Sequence, residues 1–353
     1  MDVTLIRRKI LYIGNLGSGL TCTHRLDALT RIGQDVLPFD PSSVLSSSRI
    51  LSRLRYRYPV GPLVAGANRE ALRLVHEHKP DVVWFDKPIF FTPETITEIK
   101  STGALTVCYN QDNPFGHRND GCWTQFYRAS KLFDLHCLFR DADIRRYKAW
   151  GLPYIPLQFS YDPEHIFPPP AEWTDTQRSR DVSFTGSPYD KRAEFLIELI
   201  ERYKLPLLIA GPNWPRALNP EQLKKYVTAG LLPPTAYREN IWKSKINLAF
   251  VTHSNEDDVA HKAFEITACA SFLLAERTTG HLAAFDEDKE AVFFSSVEEC
   301  AEKALYYLDH PAEREAIARR GRERAVNSGY DNDTQLKRVL FKLDGVKEPA
   351  VTY

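Results

Sequence analysis

Short apolar runs recur along the chain with helix-patterned stretches between them: KILYI at 9–13, VVWFD at 82–86, LTVCY at 105–109, VSFTG at 182–186, LLIA at 207–210, INLAF at 246–250 and FLLA at 272–275. A run this short, apolar on both faces and closed by turn residues, is a strand buried from both sides. Joined in series through amphipathic helices, such strands pair in parallel, because a parallel connection needs the length of a crossover helix. The pattern therefore predicts an α/β chain built on parallel sheets.

At 353 residues the chain is long for a single core, and about 100–200 residues per domain predicts two. The first series runs through a strand over 9–14, a helix over 23–32, a strand over 34–39, a helix over 68–78, the strand 82–86, a helix over 92–101 capped by Thr92 with Pro93 in its first turn, and the strand 105–109. It closes with a strand over 134–139, a helix over 141–150 and a strand over 155–159, giving a domain over 1–160. Residues 161–180 are proline-rich and aperiodic, as expected of an interdomain linker. Alternation resumes over 181–330 with helices at 191–203, 220–227 and 234–244 and charged helices at 296–308 and 311–328. Residues 331–353 form a last helix, over 334–343, and a tail. The Ser- and Arg-rich segment 41–58, with a basic helix over 49–58, reads as a surface excursion or an acceptor-binding lid.

Lys plus Arg and Asp plus Glu both number 46, so no global field attracts nucleic acid or an anionic membrane. The six cysteines are scattered without a C-x-x-C pair, and most sit in apolar runs, the usage of a reducing compartment. No apolar run approaches the ~20 residues that span a bilayer, and residues 1–11 lack the apolar core of a secretory leader. A cytoplasmic protein with no integral membrane segment and no nucleic-acid partner is expected.

Three segments carry candidate chemistry. Gly14, Gly17, Ser18 and Gly19 form a turn between the first strand and helix, with His24 just inside that helix. The spacing is not G-x-G-x-x-G and no acid closes the second strand, so a tight turn lining a binding site is expected rather than a dinucleotide site. The second segment, Asn110-Gln111-Asp112-Asn113-Pro114-Phe115-Gly116-His117-Arg118, ends a strand in polar side chains able to hold sugar hydroxyls or, alternatively, to close Asx turns on their own backbone. The third, over 261–294, is a helix carrying Lys262 and Glu265, a strand, the turn Thr278-Thr279-Gly280-His281, a helix over 281–285 and another strand. Ligands of open parallel sheets bind at strand carboxyl ends, and a helix start there offers free N–H groups to an anion. Glu265 precedes small residues that permit close approach. It is either a solvated helix acid or a carboxylate that accepts ribose hydroxyls.

The third segment resembles the donor half of GT-B glycosyltransferases related to the spore maturation protein CgeB, and more distantly the retaining family with a Glu-x7-Glu element before a strand and a Gly-Gly turn. Glu265 matches the second acid, Asp257 falls eight positions earlier in place of the first, and Thr279-Gly280 match the turn. Lys262 stands where CgeB-like chains carry Arg, and Ala270-Ser271 replace their Gly pair. Tyr109, Asn110, Asp112 and Phe115 fulfil the family's Tyr-Asn-x-Asp-x-x-Phe pattern, and Asp162-Pro163-Glu164-His165 is similar to its linker. The resemblance implies a GT-B architecture: two Rossmann-like α/β/α domains facing a cleft, with a last helix crossing back to the first.

What it implies of function is transfer of a sugar from a nucleoside-diphosphate sugar, as co-substrate with no cofactor, to a hydroxyl of a glycan, small molecule or protein, with retention, or with inversion if Asp112 or His117 serves as general base; the lack of a convincing Asp-x-Asp element predicts that no metal is needed. A GT-B phosphorylase or epimerase, or a non-catalytic nucleotide-sugar-binding protein, are the alternatives. Glu265 is expected to hold the ribose. The backbone of Thr278, Thr279, Gly280 and His281, the loop at Gly186 with Lys191 and Arg192, and Lys262 with Arg238 in reserve, are expected to hold the diphosphate. Asp112 or His117 would act on the acceptor, with Gly17, Ser18, His24, Asn110, Asn113 and Arg118 around it. Asp141-x-Asp143 opens a helix and is explained by capping rather than by a metal.

Overall fold

The computed structural model describes residues 5–345 apart from 18, 46–53, 55 and 117–120. The described residues fall into two compact units, one made of the chain up to Gln158 and again from Asn332, the other of Phe159–Asp331.

The first unit runs β1 (Lys9–Ile13), α1 (Thr21–Arg31), β2 (Asp35–Phe39), α2 (Pro62–His78), β3 (Val82–Asp86), α3 (Pro93–Ser101), β4 (Leu105–Tyr109), α4 (Thr124–Ala129), β5 (Leu135–Leu138), α5 (Asp141–Ala149) and β6 (Tyr154–Pro156). Its six strands order as β2-β1-β3-β4-β5-β6, all parallel. Every residue of β3 is buried, as a strand between two neighbours must be, whereas β2 lies at the edge, where Pro38 costs no ladder bond. The order reverses direction between β1 and β3. One face of the sheet packs Leu11, Val83, Phe85 and Cys108 on Ala71, Val75, Ile96 and Phe126 from the helices.

In the second unit come β7 (Arg180–Thr185), α6 (Arg192–Glu201), β8 (Leu207–Ala210), α7 (Pro220–Tyr226), β9 (Val227–Ala229), α8 (Pro234–Trp242), β10 (Ser244–Ala249), α9 (His261–Ala268), β11 (Leu273–Glu276), α10 (Thr279–Ala284), β12 (Val292–Phe294), α11 (Val297–Asp309) and α12 (Pro311–Asn327). The sheet is again parallel and six-stranded, ordered β12-β11-β10-β7-β8-β9, with its reversal between β7 and β10. A core of Val182, Phe184, Leu196, Ile209, Ile246, Leu274 and Val292 fills the space beneath α6 and α11. The last helix, α13 (Asn332–Leu343), belongs to the first unit. It lies on α1 through an Arg31–Asp333 ion pair of 2.5 Å and buries Leu336, Val339 and Leu340.

Two expectations need correction. α2 starts at Pro62 rather than 68, because Gly61 at φ +100° turns the chain and Pro62 opens the helix with the φ it already has. Residues 161–180 are not a free linker: the Trp242 indole donates to the Phe167 carbonyl at 2.8 Å, and Arg314 reaches both oxygens of Asp175 at 2.7 Å. Asp141 and Asp143 both stand in the first turn of α5, as expected, and Asp143 also pairs, buried, with Arg140 at 3.4 Å and Arg146 at 3.1 Å. The helix expected over 49–58 falls largely outside the described residues. Among the described residues no helix is long and apolar enough to cross a membrane.

Candidate functional site

Three segments distant in sequence meet at the carboxyl end of β7 in the second unit. Gly186 follows that strand, and a side-chain carbon added there would lie 3.4 Å from Cε of Lys262 on α9. One turn along α9, Glu265 accepts a hydrogen bond of 2.5 Å at Oε2 from the hydroxyl of Tyr237, on α8. The Lys262 ammonium donates to the same hydroxyl at 3.4 Å and stands 4.7 Å from the centre of the Tyr237 ring. Lysine and glutamate are thus held side by side by one phenol. Burial lowers the Lys262 pKa below the usual lysine value, Glu265 acts against that shift, and the positive charge of Arg192 adds to it. Burial, then the adjacent carboxylate, push the Tyr237 pKa up, so the phenol stays protonated and donates.

Arg192, the first residue of α6, spans the reversal point between β7 and β10. Its guanidinium donates to the carbonyls of Phe250 at 3.3 Å and Val251 at 2.9 Å, to Oγ1 of Thr252 at 3.0 Å and to the Ser187 carbonyl at 3.3 Å, while the buried Nε has no partner among the described residues. It clamps two loops and is only partly available to a ligand. Lys191 beside it is exposed. Together they line a hollow of about 110 Å³ with Asp190, His253 and Glu276, the last two paired at 2.7 Å.

The turn before α10 is occupied with its neighbours. Thr278 caps the helix by accepting from the His281 amide at 3.0 Å and donates to the Asp258 carbonyl at 2.6 Å. A Cβ on Gly280 would sit 2.4 Å from that carbonyl, so only glycine fits. His281 is fully buried, takes the Ala260 N–H on Nε2 at 2.9 Å and gives its Nδ1 proton to the Glu276 carbonyl at 2.6 Å. Burial lowers its pKa to about 4. Both ring nitrogens are used and the ring is neutral, so His281 is a strut of the turn and not a phosphate ligand. What the turn presents is backbone, since the amides of Thr279 and Gly280, in the first turn of α10, have no intrahelical acceptor. Arg238 likewise departs from expectation: it stacks on Phe167 at 4.0 Å and donates to the His165 carbonyl at 2.9 Å, which fastens α8 to segment 161–180. Asp257 accepts from the side-chain Nδ2 of Asn255 at 2.8 Å, and its charge reaches Arg192.

In the first unit, the loop after β4 separates its polar residues by role. Asn110 accepts from the Asp112 amide at 3.3 Å and Asn113 from the Phe115 amide at 2.8 Å, so both close Asx turns. The Asp112 side chain takes no part in these turns, and its carboxylate meets the Lys87 ammonium at 2.5 Å, half exposed. Burial acts to lower the Lys87 pKa, but Asp112 and Tyr56 outweigh it and raise the value, keeping the ammonium charged. Gly17 accepts from the Thr23 hydroxyl at 2.9 Å in the turn before α1, and His24 follows in the first turn of that helix. Ser18, His117 and Arg118 lie outside the described residues.

Sequence reasoning missed a buried cluster at the β1/β3 reversal. Asp86 accepts at Oδ2 from Arg25 Nε at 2.7 Å and from the Tyr12 hydroxyl at 2.5 Å, and Arg25 lies 4.6 Å from the Tyr109 ring. Beside it opens a cavity of about 420 Å³ whose walls include Ile13, Leu20, Tyr56, Lys87 and Phe91. The signal was present, since Arg25, Ala28 and Leu29 are the buried face of α1 at helical spacing, and an arginine there must have a buried acid. Tyr237 was missed too, although with Asn240 and Ile241 it lies on the inward face of α8.

Residues 191–340 match a family model described as glycosyl transferase-like. No curated protein sequence matches the chain. Among solved structures, sucrose-phosphate synthase from Thermosynechococcus elongatus superposes with a TM-score of 0.65 at 11% identity, over 96% of this chain and 100% of that one. HepE of Anabaena in complex with UDP-glucose gives 0.65 at 12% identity, over 96% and 100%. MnaA of S. aureus with UDP gives 0.54 at 11%, over 98% and 100%. At such identities the likeness is one of fold, and that fold is the two-sheet α/β architecture of GT-B glycosyltransferases.

Proposed function

We propose that the chain transfers a sugar from a nucleoside-diphosphate sugar to an acceptor hydroxyl, with the second unit as the donor unit. The observation that carries this reading is the Glu265–Tyr237–Lys262 group against Gly186, with Arg192 beyond it. A nucleotide has hydroxyls on its ribose and negative charge on its phosphates, and here an acid is followed by two cations in the same sense. Glu265 would take the ribose; Lys262, Lys191 and the amides of Thr279 and Gly280 would stabilise the diphosphate as it leaves, the contribution that weighs most in such a transfer. The glycosyl transferase-like match covers these residues, and relatives in fold hold UDP or UDP-glucose.

The finer reading is retention without metal. The acid at 265, with Asp257 eight positions before it, supports the first; cations already placed for the diphosphate support the second. On this route the leaving phosphate takes the acceptor proton on the face it departs from, and no protein nucleophile is required.

The test is calorimetric titration of a panel of nucleoside-diphosphate sugars into wild-type protein and Glu265→Gln, followed by acceptor-dependent release of nucleoside diphosphate in excess EDTA. A charge-assisted hydrogen bond contributes about 1.5–3 kcal/mol, so the variant should bind about 10- to 100-fold more weakly at unchanged melting temperature. Equal affinity removes Glu265 from the site, and activity that EDTA abolishes and Mg²⁺ restores removes the metal-free mechanism.

A further inference from the structure

We infer that Tyr237 is a positioning residue that aims the Glu265 carboxylate and thereby lets the site distinguish a ribonucleotide from its 2′-deoxy counterpart. The inference rests on the donor reading above and extends it to a residue on a different helix. Tyr237 has one proton, and the 2.5 Å contact gives it to Oε2 of Glu265; its oxygen then receives the Lys262 ammonium at 3.4 Å. The direction of the chain Lys262 to Tyr237 to Glu265 is therefore fixed by the number of protons available. Oε2 is committed, and Oε1 has no partner among the described residues.

A glutamate on a helix otherwise samples several rotamers, and ordering it on binding costs conformational entropy. Tyr237 meets that cost in the free protein. Its own placement is rigid, because α8 is fastened at the neighbouring residue, where Arg238 donates to the His165 carbonyl at 2.9 Å and stacks on Phe167, and one turn later by the Trp242 indole on the Phe167 carbonyl. A carboxylate held in this way accepts a ribose hydroxyl without rearranging. Facing a deoxyribose, it is left one donor short, and sites built around a ligand hydroxyl reject analogues that lack it.

The experiment measures dissociation constants for UDP, GDP and ADP, each beside its 2′-deoxy form, with wild-type protein, Tyr237→Phe and Glu265→Gln. Wild-type protein should prefer the ribonucleotide. Tyr237→Phe should lose about tenfold in affinity for the ribonucleotide, less than about threefold for the deoxynucleotide, and so move the ratio toward that of Glu265→Gln. A merely structural tyrosine lowers both affinities by the same factor, and that result, or no change in either, overturns the inference. If the wild-type protein binds none of the three diphosphates, the donor reading falls and Tyr237's role with it. If it binds them with a ratio that Tyr237→Phe leaves unmoved, the role of Tyr237 alone falls.

Discussion

At the scale of single residues, the side chains that matter are separated from their neighbours by whom they are bonded to. Around Asp112, two asparagines absorb the turn-forming work and the aspartate is left facing Lys87. If Asp112 positions or deprotonates the acceptor hydroxyl, Asp112→Asn should lower single-turnover transfer at saturating donor by ~10²-fold or more while donor affinity stays near wild type. Near-wild-type transfer by a variant with an unchanged melting curve would reduce Asp112 to a counter-ion of Lys87. The sequence singled out Glu265 and Lys262 because both sit on a helix that leads into a strand end. It misassigned His281 and Arg238 for one reason: a polar residue beside a turn reads the same whether it faces a ligand or ties down the turn, and only the bonds at both ends of the side chain tell the two apart. Tyr237, half-buried, and Arg25, buried, escaped because such a polar group is recognisable only once its partner, 28 or 61 positions away, is known.

At the scale of elements, the parallel strands were readable wherever they carry an apolar run between turn residues, the edge strands β2, β6 and β12 included, whereas β9, three half-exposed residues directly after α7, has neither the length nor the apolar run to be seen. The α10 turn is the element with the clearest titration. His281 holds it by two hydrogen bonds that require a neutral ring, and its pKa of about 4 compares with about 6.5 for a free imidazole. Between these values the unfolded chain binds a proton that the folded chain refuses, so stability is complete above the higher value and is lost as the pH falls toward the lower. From pH 7 to pH 5 this amounts to about 2 kcal/mol. Urea unfolding at the two pH values should show His281→Gln, which cannot titrate, losing about that much less than the wild-type protein, and identical pH dependence would sink the assignment.

At the scale of the whole molecule, the chain leaves the first unit at Gln158 and returns to it at Asn332. α13 brings back Leu336, Val339 and Leu340, all buried, with Asp333, the partner of Arg31, and the residue after it, Asp344, pairs with Arg8. Burial of three such side chains contributes ~5 kcal/mol or more, comparable with the entire stability of many domains. A chain ending at Asp331 should therefore lose protease resistance and hydrogen-exchange protection in residues 5–158 while residues 159–331 keep theirs; equal protection in both would mean that α13 is dispensable. The same closure sets an order of events at the ribosome. The first unit to be synthesised is the last that can be completed, since its final helix emerges only after the whole of the second. At about 5–20 residues per second the interval is on the order of ten seconds or longer, during which the groove on α1 awaits its helix and nascent-chain chaperones have their longest access to this protein.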